Sequence, residues 1–376
     1  MSGPNSSRSV VELCRELVRI PSPSGGEGPL AAVVAERMET IGLRVETDRF
    51  GGVIGVRTGR RPGPTLLLDA HLDTVPVADP SEWTHDPFGA EIDAGRLWGR
   101  GSADTKGSLA AMLCAAEALD DVPGTLLVSA SVCEEDLTGA ALSHVLDRYP
   151  TDLVLVGEPT SLRLGVAQKG RAGLVVEARG RSAHSSRPEL GENAVYRMME
   201  AVFRIRAVPL PTDPDLGTGV CELIEIHSEP APSTGTVPDR CTARFALRLL
   251  PGETASNALE RNAHAVSGMK GVSVRLARSS RRCYTGVDLE MEEAIPGWRN
   301  RDLILEARLL DVLRTVPFSA PYTTNASAAA ARGIPAFLLG PGSIDQAHAV
   351  DEWVALDELD AARDAYLKVA RTFLAA

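Results

Sequence analysis

The chain has 376 residues, of which 44% are hydrophobic, and a formal net charge of −11 at pH 7. Its length favours two domains, its charge argues against nucleic acid as a partner, and no apolar run approaches the ~18 residues of a membrane-spanning helix. The polar residues 1–9 lack the apolar core of a signal peptide, and the six cysteines are scattered, typical of buried thiols in a reducing compartment. We therefore expect a cytoplasmic protein.

The first part of the chain alternates helices with strands. Ser6 and Ser7 predict the N-cap of a helix that ends near residue 20. Further helices are predicted at about 27–41 and 137–147, and a third follows the segment 99–107 and ends at about 119. Strands are predicted at about 43–48, 52–57, 65–71, 124–132 and 152–157. This alternation predicts a mostly parallel sheet that helices cover on both faces.

The middle of the chain has a different order of elements. Segments 162–168 and 171–179 predict a hairpin, and the next elements are a helix at 193–207, strands at 219–228 and 239–249, a helix at 253–267 and a strand at 271–278. Helices at 299–313, 325–331 and 356–374 and a strand at 334–339 then restore the alternation. We predict a discontinuous α/β domain of residues 1–166 and 284–376, with an inserted ferredoxin-like α+β unit of residues 167–283.

His71 and Asp73 stand at the end of an apolar run that predicts a buried strand. Residues two apart in a strand point to the same side, so the pair presents an imidazole and a carboxylate together. Alone, such a histidine is more often structural than a metal ligand. Asp104 follows a glycine-rich turn and precedes a predicted helix, where it fits an N-cap as well as a ligand.

Four more metal-capable side chains follow predicted strands. Glu134 and Glu135 are adjacent carboxylates after a buried strand, and they repel each other unless a positive charge lies between them. One could bind a metal while the other acts as a base. Glu158 ends a further strand, and His348 lies in a loop after an apolar strand. Taken singly, each also fits a solvated turn or an inert loop position.

All these groups fall at the carboxyl ends of predicted strands, which is where open α/β sheets place their sites. Histidine and carboxylate ligands without cysteine suit zinc, cobalt or manganese. Two such ions, ~3.5–4 Å apart, polarise a carbonyl and activate water near neutral pH. The sequence therefore predicts a two-metal hydrolase centre.

In combination, these motifs resemble those of the aminoacylase/carboxypeptidase family of two-zinc amidohydrolases. That family includes acetylornithine deacetylase, succinyl-diaminopimelate desuccinylase, aminoacylase-1 and glutamate carboxypeptidases, and the resemblance runs from Val11 to Phe373. It implies two Zn²⁺ ions, with Co²⁺ or Mn²⁺ as alternatives. The implied roles are His71 and Glu158 on one metal, Glu135 and His348 on the other, Asp104 bridging both, Glu134 as general base and Asp73 as the orienting carboxylate.

The inserted unit resembles the lid through which members of this family dimerise. The resemblance implies that His184 reaches the active site of the partner subunit, although by itself it is only an exposed loop histidine. Arg248 matches the position that clamps a substrate carboxylate, a task that suits a guanidinium because it binds carboxylate bidentately. Thr324, Asn325 and Gly340 match loops that contact substrate.

The resemblance implies hydrolysis of an amide bond in an N-acyl amino acid or small peptide with a free carboxylate. Asn325-Ala326 stands where desuccinylases carry Ser-Asp, and the chain resembles a less characterised branch of the family, so the acyl group stays open. One alternative is a peptidase, or a hydrolase that releases an amino acid from an amino-group carrier protein. Another is a protein that binds amino-acid conjugates without turning them over.

Overall fold

The computed structural model describes residues 9–232 and 235–375. Within these ranges no helix is both long and apolar enough to cross a bilayer. The helices are α1 (Val10–Val18), α2 (Gly28–Thr40), α3 (Gly107–Ala118), α4 (Glu134–Leu137), α5 (Ala140–Arg148), α6 (Ala194–Arg206), α7 (Ala255–Ala265), α8 (Leu303–Leu313), α9 (Ala326–Ala330) and α10 (Leu356–Leu374).

The strands are mostly short, and the longest belong to the inserted region. They are β1 (Arg44–Thr47), β2 (Val53–Thr58), β3 (Thr65–His71), β4 (Glu91–Asp93), β5 (Arg96–Trp98), β6 (Thr125–Ser131), β7 (Leu153–Val156), β8 (Leu164–Gln168), β9 (Gly170–Arg179), β10 (Thr212–Asp213), β11 (Gly217–Thr218), β12 (Val220–Glu229), β13 (Arg240–Leu249), β14 (Val272–Leu276), β15 (Arg278–Arg282), β16 (Asp288–Glu292), β17 (Ala294–Ile295), β18 (Trp298–Arg299), β19 (Pro317–Ala320), β20 (Ala336–Leu338) and β21 (Trp353–Ala355).

The largest sheet has the order β1-β2-β6-β3-β7-β20-β8-β18, with β19 also paired to β8. Its central strands β6, β3, β7 and β20 are parallel, and antiparallel pairs stand at the edges. Along β3, Leu66 and Leu68 face one hydrophobic cluster and Leu67 faces another. Helices thus cover both faces of the sheet, and the predicted α/β class with an inserted α+β unit is confirmed.

The second sheet has the order β12-β13-β9-β14, with β17 also paired to β9, and is antiparallel. Alternate residues of β13, from Cys241 to Leu249, pack with α6 and α7 in a separate hydrophobic cluster. Among the residues that the structure describes, no such cluster covers the other face of this sheet, which makes the sheet open-faced. The limits of the inserted unit, residues 167 and 283, remain a prediction. Strand β17, which ends at Ile295, still pairs with β9 of this sheet.

The predicted hairpin of 162–168 and 171–179 is wrong. The two segments form β8 and β9, but β8 belongs to the large sheet and β9 to the second sheet. Lys169 is the one residue between them. Two adjacent apolar runs predict strands, but their pattern does not say that they pair with each other.

Helix starts also differ from the sequence expectation. Ser9 caps α1, because its Oγ accepts a hydrogen bond from the Glu12 N–H at 3.2 Å; the predicted caps Ser6 and Ser7 lie outside the described residues. Asp104 does not cap α3, which begins at Gly107. The last helix spans the predicted residues, Leu356–Leu374.

Candidate metal centre

His71 is the last residue of β3, and its ring faces a group of carboxylates. Its Nδ1 lies 2.8 Å from the backbone oxygen of Asp73, and its Nε2 lies 3.1 Å from Asp104 Oδ1. Because a carbonyl only accepts hydrogen bonds, Nδ1 carries a proton and Nε2 is the nitrogen available to a metal. Burial disfavours a charged ring, but the hydrogen bond and charge of Asp104 raise the pKa of His71 well above its ordinary value.

Asp104 lies between two imidazoles in the loop before α3. One oxygen faces His71, and the other, Oδ2, lies 3.5 Å from His348 Nε2. Burial opposes ionisation of Asp104, but hydrogen bonds from the two histidines hold its pKa below the ordinary value. Asp104 therefore presents one carboxylate oxygen to each histidine.

His348 and Glu135 form the second side of the cluster. His348 Nε2 lies 2.9 Å from Glu135 Oε2, and hydrogen bonds to Asp104 and Glu135 raise the pKa of His348 to about 10. One donor atom from each of His71, Asp104 and Glu135 lies within 4.8 Å of the others. Three of the predicted ligands therefore share a common centre, and His348 contacts two of them, Asp104 and Glu135.

Glu134 and Glu158 add two more buried carboxylates. Burial raises the pKa of Glu158 to about 8, and the charge of Asp104 contributes. Burial also raises the pKa of Glu134, with Glu158 and Glu135 adding to the effect. The Oε1 atoms of Glu134 and Glu135 are buried, and no described residue forms a hydrogen bond with them. Such a concentration of acidic groups with unpaired oxygens fits bound cations, because cations would remove the repulsion that raises these pKa values.

Asp73 holds the acidic turn rather than the histidine ring. Its carboxylate accepts hydrogen bonds from the backbone N–H groups of Glu134 at 2.9 Å and Glu135 at 3.1 Å, and from Ser24 Oγ at 2.7 Å. The carboxylate is 3.7 Å from His71 Nδ1, farther than the Asp73 carbonyl. The ring is thus oriented by the backbone of Asp73, whereas the prediction assigned this task to its side chain.

Sequence reasoning missed Glu27, which supports the same turn. Glu27 is fully buried, and its Oε1 accepts a hydrogen bond from the Cys133 N–H at 3.0 Å. Cys133 has a φ of 57°, and this left-handed conformation begins α4 and turns Glu134 toward the cluster. Only the burial of Glu27 reveals this role, because in the sequence it is an acidic residue at an ordinary helix start.

His184 and Arg248 lie in the second sheet and its loops. His184 is exposed, and its Nδ1 accepts a hydrogen bond from the Ser186 N–H at 3.1 Å; no described contact joins it to the cluster. Arg248 stands opposite Arg171 in the β13–β9 pair, and its Nη1 donates to Thr323 Oγ1 at 3.3 Å. Burial, and secondarily the charge of Arg171, lowers the pKa of Arg248.

The three other predicted substrate contacts are engaged within the protein. Thr324 Oγ1 donates to Gln168 Oε1 at 2.6 Å, and the Gly340 N–H donates to Thr160 Oγ1 at 3.1 Å. Asn325 is buried and joins four elements through hydrogen bonds to Asp69, Ser131 and Gly139. These contacts hold loops together at the sheet edge and give no support to a substrate-binding role.

Comparison with known proteins gives a consistent assignment. Residues 67–372 match the family model described as Peptidase family M20/M25/M40. The Escherichia coli K12 protein called uncharacterized protein YgeY is 32% identical over 359 residues, covering 90% of this chain and 88% of the relative.

Solved structures of low sequence identity share the fold. The metallo-carboxypeptidase Sso-CP2 from Sulfolobus solfataricus has a TM-score of 0.78 at 18% identity, over 98% of this chain and 100% of that one. A tripeptidase from Staphylococcus aureus has a TM-score of 0.76 at 18% identity, with 100% of both chains covered. The YXEP protein of Bacillus subtilis, described as a dinuclear metal-binding peptidase, has a TM-score of 0.70 at 15% identity, over 97% of each chain.

Proposed function

The chain belongs to peptidase family M20/M25/M40, which makes it a metal-dependent peptidase or amidohydrolase, and we propose that it hydrolyses the amide bond of an N-acyl amino acid or short peptide with a free carboxylate. The observation that carries this proposal is the meeting of His71, Asp104, Glu135 and His348 within hydrogen-bonding distances. Imidazoles and carboxylates of this number and kind suit a hydrolytic metal pair.

The donor set supports two Zn²⁺ ions, with Co²⁺ or Mn²⁺ as alternatives. In this proposal His71 and Glu158 hold one ion, Glu135 and His348 hold the other, and Asp104 contacts both. When bound, the ions polarise the scissile carbonyl and make water a better nucleophile near neutral pH. The buried Oε1 of Glu135 supports this assignment because no residue within 9–232 and 235–375 donates a hydrogen bond to it.

Glu134 acts as the general base in this proposal. Its backbone is held by Asp73, and its Oε1 is buried with no partner in the described part of the chain. Oε1 would accept a proton from the attacking water and then deliver it to the leaving nitrogen. Burial raises the pKa of the Glu134 carboxyl, which favours uptake of a proton from water.

Arg248 and Arg171 support a substrate with a free carboxylate. Directly opposite residues of an antiparallel pair point to the same face, so the two guanidinium groups lie on one side of the second sheet. Among the described residues neither has an acidic partner, although both side chains are partly buried. A substrate carboxylate would offset the repulsion between them and accept bidentate hydrogen bonds.

The second sheet also supports a homodimer. Tyr196, Met199 and Phe203 lie on one side of α6 and are 71%, 49% and 66% exposed, and Ile224 and Ile226 of β12 are also exposed. Strand β12 is an edge strand, since within the described ranges it pairs with β13 on one side only. An apolar patch beside an open edge is typical of an interface, and in such a dimer His184 of one copy would stabilise the oxyanion at the site of the other.

The carrier-protein alternative receives less support than a small substrate. An acidic carrier would need a basic surface, and the exposed arginines of β15 are its best candidates. However, Arg281 pairs with Asp136 and Arg282 with Asp288, so most of that charge is neutralised. The six cysteines lie in the described part of the chain and form no disulfide there, which supports a reducing compartment such as the cytoplasm.

The proposal is tested by a substrate screen. Metal-free protein is reloaded with zinc, cobalt or manganese and incubated with acetyl-, formyl- and succinyl-amino acids and with dipeptides, and products are identified by mass spectrometry. We expect a released amino acid only in metal-loaded samples. Two bound metal equivalents with tight binding of a conjugate and no product would overturn the hydrolase in favour of a binding protein.

A further inference from the structure

The carboxylate of Glu352 is completely buried and accepts four hydrogen bonds from one loop. Oε2 accepts from Arg100 Nη1 at 2.7 Å and from the Gly101 N–H at 3.0 Å. Oε1 accepts from the Ala103 N–H at 2.9 Å and from the Asp104 N–H at 3.1 Å. These four bonds use the full acceptor capacity expected of a carboxylate. The bond from the Asp104 N–H holds the backbone of that candidate metal ligand.

Arg100 also contacts the loop that carries His348. Its Nη2 donates to the backbone oxygen of His348 at 3.4 Å, and its guanidinium lies 5.1 Å from the ring centre of Trp83. Only 4% of Arg100 is exposed, and none of Glu352 is. The buried ion pair therefore joins the loop that carries Asp104 to the loop that carries His348.

Regular secondary structure does not define these two loops. Gly101 and His348 have φ angles of 83° and 64°, and Asp104 has non-helical angles between Gly101 and α3. The β21–β5 pairing brings the loops near each other at Trp353 and Trp98, but it ends before either ligand. The contacts of Glu352 and Arg100 thus reach the backbone of each ligand, at the N–H of Asp104 and the carbonyl of His348.

We propose that Glu352 and Arg100 are positioning residues that hold Asp104 and His348 at the separation required to bind the metals. The inference rests on the proposed function, since it requires that these two side chains be ligands. Sequence reasoning did not single out Glu352, because an acidic residue near His348 gives no sign of being buried. The role is distinct from that of Asp73 and Glu27, which hold the turn of Glu134 and Glu135.

The test compares metal binding by wild type, Glu352→Gln and a matched control. Glutamine has nearly the same size, but its amide nitrogen would face N–H donors in place of one oxygen, and Arg100 would lose its counter-charge. The control is Glu293→Gln, which alters another buried carboxylate paired with an arginine, Arg244, in the second sheet. Affinity is measured by competition with a chromophoric chelator, and ligand geometry by the absorption spectrum of the cobalt-loaded protein.

We expect Glu352→Gln to weaken metal binding about 10- to 100-fold and to change the cobalt spectrum, as the loss of contacts behind metal ligands usually does. Glu293→Gln should keep the wild-type metal affinity and cobalt spectrum, even if its thermal unfolding midpoint is lower. Wild-type affinity and spectrum in Glu352→Gln would overturn the inference. If Glu352→Gln does not fold, Arg100→Lys is tested in its place. Lysine keeps the positive charge but cannot donate to Glu352 and to the His348 carbonyl in the same geometry. Weaker metal binding by Arg100→Lys supports the inference, and unchanged binding overturns it.

Failure of the proposed function would look different. It would appear in the wild-type protein as an absence of stoichiometric metal binding, which would remove the basis of the inference. A wild-type protein that binds two metals, together with an unaffected Glu352→Gln variant, overturns only the positioning role.

Discussion

His348 Nε2 lies 2.9 Å from Glu135 Oε2, although the strands of the second sheet lie between the two residues in sequence. Glu135 follows the central strand β6, and His348 follows β20, which pairs with β7 in the same sheet. Parallel strands deliver their carboxyl ends to one edge, so residues far apart in the chain meet there. The metal centre is therefore a property of the sheet rather than of any one motif.

Glu134→Gln should abolish turnover and leave metal content unchanged. The variant removes the proton acceptor but keeps the shape of the side chain and the backbone contact with Asp73. General acid–base catalysis contributes about 10²- to 10⁴-fold, so we expect at least this loss in kcat. Elemental analysis of the purified variant gives the metal content. Loss of metal together with activity would reassign Glu134 as a ligand.

His348→Ala should lose one metal equivalent, and Asp104→Asn should lower the affinity for both. This difference follows because His348 lies on one side of Asp104, whereas Asp104 has an oxygen toward each histidine. Metal titration by isothermal calorimetry measures the stoichiometry. His264→Ala, an exposed histidine on α7, is the control and should bind as wild type. Equal loss of both metals in the two variants would argue against a bridging Asp104.

Arg248→Met should raise KM for substrates with a free carboxylate. A charged hydrogen bond is worth about 1.5–3 kcal/mol, which corresponds to roughly a 10- to 100-fold increase. The same variant should treat a substrate amidated at that carboxyl much as wild type does. Arg275→Met, an exposed arginine on β14, serves as the control. An equal effect on acid and amide substrates would contradict a carboxylate clamp.

Phe203→Glu should convert the protein to a monomer. A charge in the exposed apolar stripe of α6 would have to be desolvated in the dimer, which opposes association. Light scattering coupled to size-exclusion chromatography measures the mass. Leu303→Glu introduces the same charge at another exposed leucine, on α8, and should not alter the mass. A wild-type protein that is already monomeric at micromolar concentration would contradict the proposed interface.

Subunit mixing tests whether His184 acts across that interface. His184→Ala and Glu134→Gln homodimers should each be inactive, and their mixture should recover part of the activity. Recovery follows because a hybrid dimer contains one site with both a wild-type Glu134 and a wild-type His184 from the neighbour. Subunit exchange is verified with a mass-tagged variant. Verified exchange without recovery would exclude a role in trans.

The thiols should react slowly with a disulfide reagent at pH 8 in the native state. Burial raises the pKa of Cys14 to about 12 and of Cys114 and Cys221 to about 11, so the reactive thiolate is scarce at this pH. The rate should increase as pH rises toward these values, because deprotonation supplies the nucleophile. Unfolding in guanidinium should release all six thiols. A fast reaction of Cys14, Cys114 and Cys221 in the native protein would contradict the burial of these thiols.

Much of the fold follows from patterns within short segments. The apolar runs at β3 and β6 predict buried strands, and the periodicity of α10 predicts its observed limits, Leu356–Leu374. Such patterns report whether one side of a segment is buried, and they need no knowledge of what covers it. For the same reason the sequence predicts β8 and β9 as strands but places them wrongly in one hairpin.

The candidate ligands could also be selected in sequence, because His71, Asp104 and the acidic pair stand at predicted strand ends. The residues that position these ligands could not be selected from the sequence. A backbone carbonyl holds the ring of His71, and Asn325 forms hydrogen bonds with Asp69 and Ser131. Glu352, near His348 in sequence, is buried against the loop of Asp104. All three arrangements result from tertiary packing. A carboxylate has the same local pattern whether it meets water, a cation or an N–H group. Only the folded chain brings in the distant atoms that decide among them.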